Sequence, residues 1–162
     1  MPPVAWQWKR FAELRPAELY ALLAARAAVF VVEQQCAFQD LDSADEYAWH
    51  LLGWASVNHA PTLAAYLRLI DPGRKYAEPS IGRVLTTAPF RGTGLGREAM
   101  REGLARAAVL YPGSPIRIGA QQRLERFYVE LGFRTVSTPY DEDGIAHVEM
   151  LGPAGRDDVG PS

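Results

Sequence analysis

From Pro16 onward, Leu19, Leu22, Leu23, Ala27 and Phe30 recur at steps of three and four residues, which predicts a helix with one apolar face. Proline suits the first turn of such a helix, where its missing N–H would have had no partner. Before it, "AWQWK" alternates and predicts a short strand over residues 5–9. After it, residues 34–48 lose the period and are expected to form a loop with a short helical piece. "HLLGW" and "TLAAYLRLID" then read as two strands of a hairpin, with "ASVNHAP" as the turn between them. "DPGRKYAEP" supplies another turn and "SIGRVLTT" a third consecutive strand, so an antiparallel meander is expected.

The clearest helical pattern follows, with Gly96, Met100, Leu104, Ala107, Ala108 and Tyr111 on one face and "YPGSP" as its stop. "IRIGA" reads as a buried strand. "QRLERFYVELGF" predicts another amphipathic helix that turns Leu124, Phe127, Tyr128 and Leu131 inward and ends at Gly132. "RTVST" and "IAHVEML" would close the sheet. This order predicts an α+β fold, a mixed and mostly antiparallel sheet flanked by helices, and not an alternating doubly wound sheet.

Length and charge narrow the picture. A chain of 162 residues fits one domain, expected over residues 1–151, with a loose tail rich in Gly, Pro and charge over 152–162. The formal net charge of −2 offers no global field for nucleic acid or an anionic membrane, so any anion site must be local. The single Cys36 excludes an internal disulfide and a cysteine-based metal cluster, and no metal is expected. "MPPVAWQWKR" lacks the layout of a secretory signal and no apolar run reaches membrane-spanning length, so a cytoplasmic protein is expected.

One stretch stands apart: "PFRGTGLGREAM" sets three glycines within five residues, between a strand and a helix. The first N–H groups of that helix lack intrahelical partners and sit at the positive end of its dipole. Gly92, Gly94 and Gly96 remove side chains that would keep an anion away and permit the positive φ that lets amides converge. Arg91 and Arg97 bracket the loop, and a pyrophosphate suits it. The G-x-G-x-G spacing departs from the dinucleotide fingerprint, no Gly-Lys-Ser/Thr ending makes it a P-loop, and a kinase loop would lie between strands. A plain flexible turn remains the alternative.

These residues carry a family likeness. Arg91-x-x-Gly94-x-Gly96 between a strand and an amphipathic helix resembles the acyl-CoA-binding motif of the GNAT N-acetyltransferases, and "FYVELGF" is similar to a later motif of that superfamily. A narrower resemblance, to the ElaA-like branch, runs through "LYALLAARAAVFVVEQQCAFQDLDSAD", "AYLRL", "IGRV" and "YDEDGIAHVEM". Three positions depart from the pattern: Pro89 lies one place late, Ala120-Gln121 replaces a frequent asparagine, and Ala146 replaces a frequent proline.

The resemblance implies acetyl transfer from acetyl-CoA to a primary amine of a small molecule or peptide, on a sheet splayed at the cofactor site. It implies that the pantetheine arm pairs with Val84, Leu85 and Thr86, that a backbone N–H there stabilises the oxyanion, and that Arg91, Gly92, Thr93, Gly94, Leu95, Gly96 and Arg97 hold the pyrophosphate. The amine must be neutral to attack, and a lysine side chain has a reference pKa of ~10.4, so a base or water relay is needed. Tyr128 matches the position of the usual proton donor to the departing thiolate; a core aromatic is the alternative.

For the base, Glu33 is a candidate and His147 a weaker one, with His50 sharing the weakness of His147. Arg26 and Glu33, seven apart, are expected on one helix face, as an ion pair bracing the following loop or as the lining of a cleft. Asp143, in an acidic loop with Asp141 and Glu142, is expected to attract a cationic amine, and Arg83 to bind a substrate carboxylate or to pair with one of these acids. Cys36 reads as packing. Beside the enzyme stand a non-catalytic acyl-CoA-binding regulatory module and a purely structural domain, and exposed edge strands leave room for a homodimer.

Overall fold

The computed structural model describes residues 3–153 and divides them into two compact units. The first holds the chain up to Arg68 together with residues 83–100; the second holds residues 69–82 and the chain from Arg101.

In the first unit, β1 (Ala5–Arg10) pairs antiparallel with β2 (Ala48–Val57), with Trp6 opposite Gly53 and Trp8 opposite Leu51. The hairpin from β2 into β3 (Ala60–Ile70) is tighter than "ASVNHAP" implied. Both strands run on to a two-residue turn, Asn58-His59, whose φ angles of 50° and 64° match the twist of the flanking strands. β4 (Ser80–Thr86) lies next to β3, and Thr87 fastens its end, donating from N and Oγ1 to the carbonyls of Ala64 and Leu63 at 2.9 Å each.

Helix α1 (Pro16–Arg26) begins at the expected proline, and Glu18 closes its first turn by accepting the Arg15 N–H at 2.8 Å. Leu22, Leu52, Leu63, Tyr66 and Leu85 form the core of this unit, with Leu14, Leu19, Leu23 and Phe30 packed against it. The chain then does something the periodicity did not announce. Residues Ala27–Glu33 continue as a π-helix, ending with Cys36 N–H on the Val31 carbonyl at 3.1 Å. A 3₁₀ turn, Ala44–Tyr47, is the short helical piece expected in the following loop.

In the second unit the strand order is β4, β5 (Arg117–Gln121), β8 (Ile145–Leu151) and β6 (Arg134–Thr135), with β7 (Tyr140–Glu142) also on β8. β4 meets β5 in parallel, with Ser80 opposite Arg117, whereas β8 runs antiparallel to β5, β6 and β7. The expected mixed α+β architecture with a mostly antiparallel sheet is therefore present.

Three expectations need correction. The buried face of α2 (Leu95–Leu110) is centred on Leu95, Ala99, Met100, Gly103 and Ala107, so Gly96, Leu104 and Ala108 lie at its margin and only half-buried. The helix predicted over "QRLERFYVELGF" shrinks to α3 (Glu125–Val129) after a 3₁₀ turn, and only Tyr128 of the four expected inward residues is buried. Its stop is where Gly132 placed it: at φ 98°, with Gly132 N–H on the Val129 carbonyl and Phe133 N–H on that of Tyr128, the end is a Schellman motif. Asp141 and Glu142 are strand residues of β7, and the acidic loop reduces to a two-residue turn, Asp143-Gly144, at φ 52° and 81°.

Gly152 is buried, donates its N–H to the Ile116 carbonyl at 2.6 Å, and has no room for a side chain against the Phe133 ring. Residues 154–162 of the expected tail lie outside the described residues. No helix among the described residues is long and apolar enough to cross a membrane.

Candidate active site

The glycine stretch folds as a 3₁₀ turn, Ala88–Phe90, that buries Phe90, followed by an open loop. Gly92 and Gly94 take φ of 76° and 83°, and a side chain on either would meet nothing within 4 Å. Packing therefore does not require these glycines; backbone conformation and free approach to the loop do. Thr93 Oγ1 closes the turn on the Phe90 carbonyl at 2.6 Å. The first α-helical bond runs from Glu98 N–H to the Gly94 carbonyl at 3.1 Å, so the amides of Leu95, Gly96 and Arg97 precede the ladder. An anion brought to this end of a sixteen-residue helix meets oriented N–H groups and a positive dipole end.

Arg91 spans two elements. Its Nε donates to the Thr86 carbonyl at 3.1 Å, and its two terminal nitrogens grip the Glu33 carboxylate at 2.9 and 2.7 Å. That grip holds Glu33 below the usual carboxylate range. Glu33 is thus kept ionised by its partner, which makes it a weak proton acceptor.

Arg26 and Glu33 do not share a face. An α-helix of about 3.6 residues per turn returns to the same side after seven residues, but a π-helix closes each turn on the fifth residue and carries Glu33 round to the other side. Arg26 is fully buried and bound to aspartates instead: Nε to Asp40 Oδ2 at 3.0 Å, Nη1 to Asp45 Oδ1 at 2.6 Å, and Nη2 to the Asp40 carbonyl at 3.0 Å. Of the two alternatives raised by the sequence, the geometry gives the brace of the following loop, with different acids.

Two more arginines join it. Arg68 donates to Asp42 Oδ1 and Oδ2 at 2.8 and 2.5 Å and to Asp45 Oδ1 at 3.0 Å. Arg83, in the middle of β4, donates Nε to Asp40 Oδ1 at 2.8 Å and Nη2 to Asp42 Oδ2 at 3.3 Å, with its guanidinium over the Phe38 ring. Burial raises the pKa of Asp42 and Asp45, but the arginine hydrogen bonds outweigh it and both end below the usual range. Arg83 also has a φ of 52°, a left-handed conformation costing a non-glycine residue roughly 1–2 kcal/mol. His50 is fully buried, donates Nε2–H to the Asp45 carbonyl at 2.9 Å and accepts the Tyr66 hydroxyl on Nδ1 at 2.6 Å. Burial holds it neutral, and with both nitrogens engaged it serves the loop rather than a substrate.

The second unit carries the other candidates. Tyr128 is buried among aromatic edges, 5.1 Å from the Phe127 ring and 5.8 Å from that of Phe133. Burial pushes its phenol up to about 12, so it holds its proton at neutral pH. His147, opposite Gln121 and Tyr140 across β8, donates Nδ1–H to the Ile145 carbonyl at 2.7 Å. That bond fixes the tautomer and leaves Nε2 as the basic nitrogen, 3.3 Å from Glu142 Oε2.

On the same face, Gly119 is exposed, and a side chain there would meet the Tyr140 and Tyr76 hydroxyls at 3.1 and 3.7 Å. Arg117 joins Glu78 and Glu149 at 3.0 and 3.1 Å. Asp143 occupies the β7–β8 turn, beside an open depression of about 530 Å³ lined by Gln122, Arg123, Gly144, Ile145 and Ala146. The sequence does not single out Tyr76 or Tyr140 and offers Glu142 only as part of the acidic loop, although the Asp-Gly pair in "YDEDGIA" is a readable hairpin signal that places Glu142 beside His147.

This geometry has known counterparts. Residues 54–151 match the family model described as an acetyltransferase (GNAT) domain. A UPF0039 protein of Synechocystis is 40% identical over 148 residues, covering 91% of this chain and 94% of its own. ElaA of Escherichia coli is 38% identical over 149 residues, 91% and 95% of the two chains, and its crystal structure superposes with a TM-score of 0.84 over 93% of this chain and 99% of that one. An acyl-CoA N-acyltransferase of Pseudomonas aeruginosa, 39% identical, superposes with a TM-score of 0.85 and the same coverage.

Proposed function

Because the chain belongs to the GNAT acetyltransferase family, we propose that it transfers the acetyl group of acetyl-CoA to a primary amine of a small molecule or peptide. The observation that carries this reading is the loop ahead of α2. Gly92 and Gly94 stand at positive φ with open space where side chains would be, and unladdered amides follow at Leu95, Gly96 and Arg97. A diphosphate suits that combination. In this reading Val84, Leu85 and Thr86 offer backbone to the pantetheine arm, and the cytoplasm is the place of work.

The thioester supplies an activated acetyl group; this chain's part is to hold it and to move two protons. Tyr128, kept neutral by burial, is suited to donate to the departing thiolate. His147 Nε2 takes the proton of the amine, directly or through water, and Glu142 steadies the imidazolium that results. His147 suits this task better than Glu33, whose carboxylate is committed to Arg91. Asp143 and Glu142 add negative charge where a cationic amine would approach.

Titration calorimetry with acetyl-CoA is the direct test: binding is expected, and none at millimolar ligand ends the reading. Thiol release over a panel of primary amines then separates the enzyme from a binding module. Turnover with at least one amine is expected; tight binding with silence across the panel favours the non-catalytic alternative.

A further inference from the structure

Arg26, Asp40, Arg83, Asp42, Arg68 and Asp45 form a closed ring in which opposite charges alternate. Successive contacts measure 3.0, 2.8, 3.3, 2.5, 3.0 and 2.6 Å, the last returning from Asp45 to Arg26. Each carboxylate touches two arginines and each arginine two carboxylates, so the ring is neutral, and Arg68 Nε is its one buried nitrogen without a hydrogen-bond partner. It draws on four pieces of the first unit: α1 through Arg26, the loop after the π-helix through the aspartates, β3 through Arg68, and β4 through Arg83.

We propose that the ring is a positioning device: it holds Arg83 in its left-handed conformation and ties the 40–45 loop and the Val84–Thr86 segment of β4 into one piece. Cohesion alone does not account for it. Removing charges from water is costly, and well-packed apolar side chains commonly stabilise as well as a buried ion pair or better. What an apolar cluster would not supply is direction. Arg83 stands mid-strand at φ 52°, where glycine would be unstrained, and three bonds on its guanidinium (two to Asp40, one to Asp42) fix it there. The residue after it opens the segment assigned above to the pantetheine arm, so the turn at Arg83 sets how Val84, Leu85 and Thr86 present their backbone. Asp40 and Asp42 serve the loop and the strand together, so neither can shift alone. Arg83 and Arg26 are then positioning residues, not ligands of the acceptor.

The importance of the ring for cofactor binding rests on the acetyl-CoA reading; the mechanical tie does not, and two measurements keep them apart. The first is amide hydrogen exchange at residues 40–45 and 84–86 without ligand, in the native chain and in Asp42→Asn, which alters the most exposed ring acid. Both segments are expected to speed up together. Faster exchange in the loop with 84–86 unchanged overturns the tie.

The second compares Arg83→Gly with Arg83→Ala. Both lose the same ion pairs, but with the ring gone only glycine keeps the positive φ without strain, whereas alanine is expected to relax out of it. The glycine variant is therefore expected to bind acetyl-CoA about five- to thirtyfold more tightly than the alanine variant. Equal affinities overturn the claim that the held conformation matters. If the native chain binds no acetyl-CoA, the function reading fails while the exchange measurement still decides the tie.

Discussion

The two units use ionisable groups in opposite ways. In the first, Arg26 and Arg68 are 0% and 1% exposed and every ring charge faces two of the opposite sign. In the second, His147 has one nitrogen fixed by a carbonyl and the other beside a half-exposed glutamate, and Tyr128 keeps a proton it can give. Groups paired on every side are suited to hold geometry; groups with one open proton position are suited to the proton transfers proposed above.

The contrast breaks most violently at Arg26. Arg26→Leu would leave Asp40 and Asp45 buried with a partner missing, at a cost of about 3–5 kcal/mol, and urea unfolding reads it directly. A loss below about 1 kcal/mol would mean the ring holds less than its burial suggests.

In the second unit the effect should fall on rate. Tyr128→Phe keeps the ring packing and removes only the hydroxyl, so kcat is expected to drop by about a hundredfold with acetyl-CoA affinity unchanged. Unchanged turnover would take Tyr128 out of the mechanism. With its phenol pushed up to about 12, Tyr128 gives no alkaline fall in rate across the neutral range.

His147→Gln is expected to lower kcat by roughly ten- to a hundredfold with little change in melting temperature. A large loss of stability at constant activity would make it a structural histidine instead.

Acid should weaken the first unit. Asp42 and Asp45 have folded-state pKa values below their unfolded ones, so their contribution is complete above the unfolded value of ~3.9 and is lost as pH falls through and below it. Urea midpoints measured between pH 7 and 3 should fall toward the acid end, and Asp42→Asn should flatten that fall. A steeper fall in the variant would contradict the assignment.

The smallest effect is expected at Glu33. Glu33→Gln releases Arg91 from an exposed pair, and acetyl-CoA affinity should rise by no more than about fivefold, a gain that shrinks in high salt. A fall in kcat with affinity unchanged would restore Glu33 as the base.

The contrast also explains what could be read in the sequence. Local rules were legible: Pro16 opens α1, Gly132 ends α3, and the glycine loop enters α2, because each depends on backbone geometry that one residue type satisfies. The π-helix was not legible, since no residue type demands five-residue turns, and it alone moved Glu33 away from Arg26. The ring was equally hidden. Its members lie up to 57 positions apart, from Arg26 to Arg83, and nothing local says which aspartate will meet which arginine. A substrate role for Arg83 and a cleft-lining role for Arg26 stand among the sequence alternatives because charge is visible in a sequence and burial is not. α3 was over-extended because an amphipathic pattern persists past the point where 3₁₀ and turn geometry take over.

Cys36 sits just beyond the π-helix, 8% exposed, and is the only thiol in the chain. A chromogenic thiol reagent will therefore count liberated CoA while the folded protein stays silent. The same thiol turns into a clock under other conditions: its labelling rate measures how often the segment around it opens, and variants that loosen the neighbouring loop should make that clock run faster.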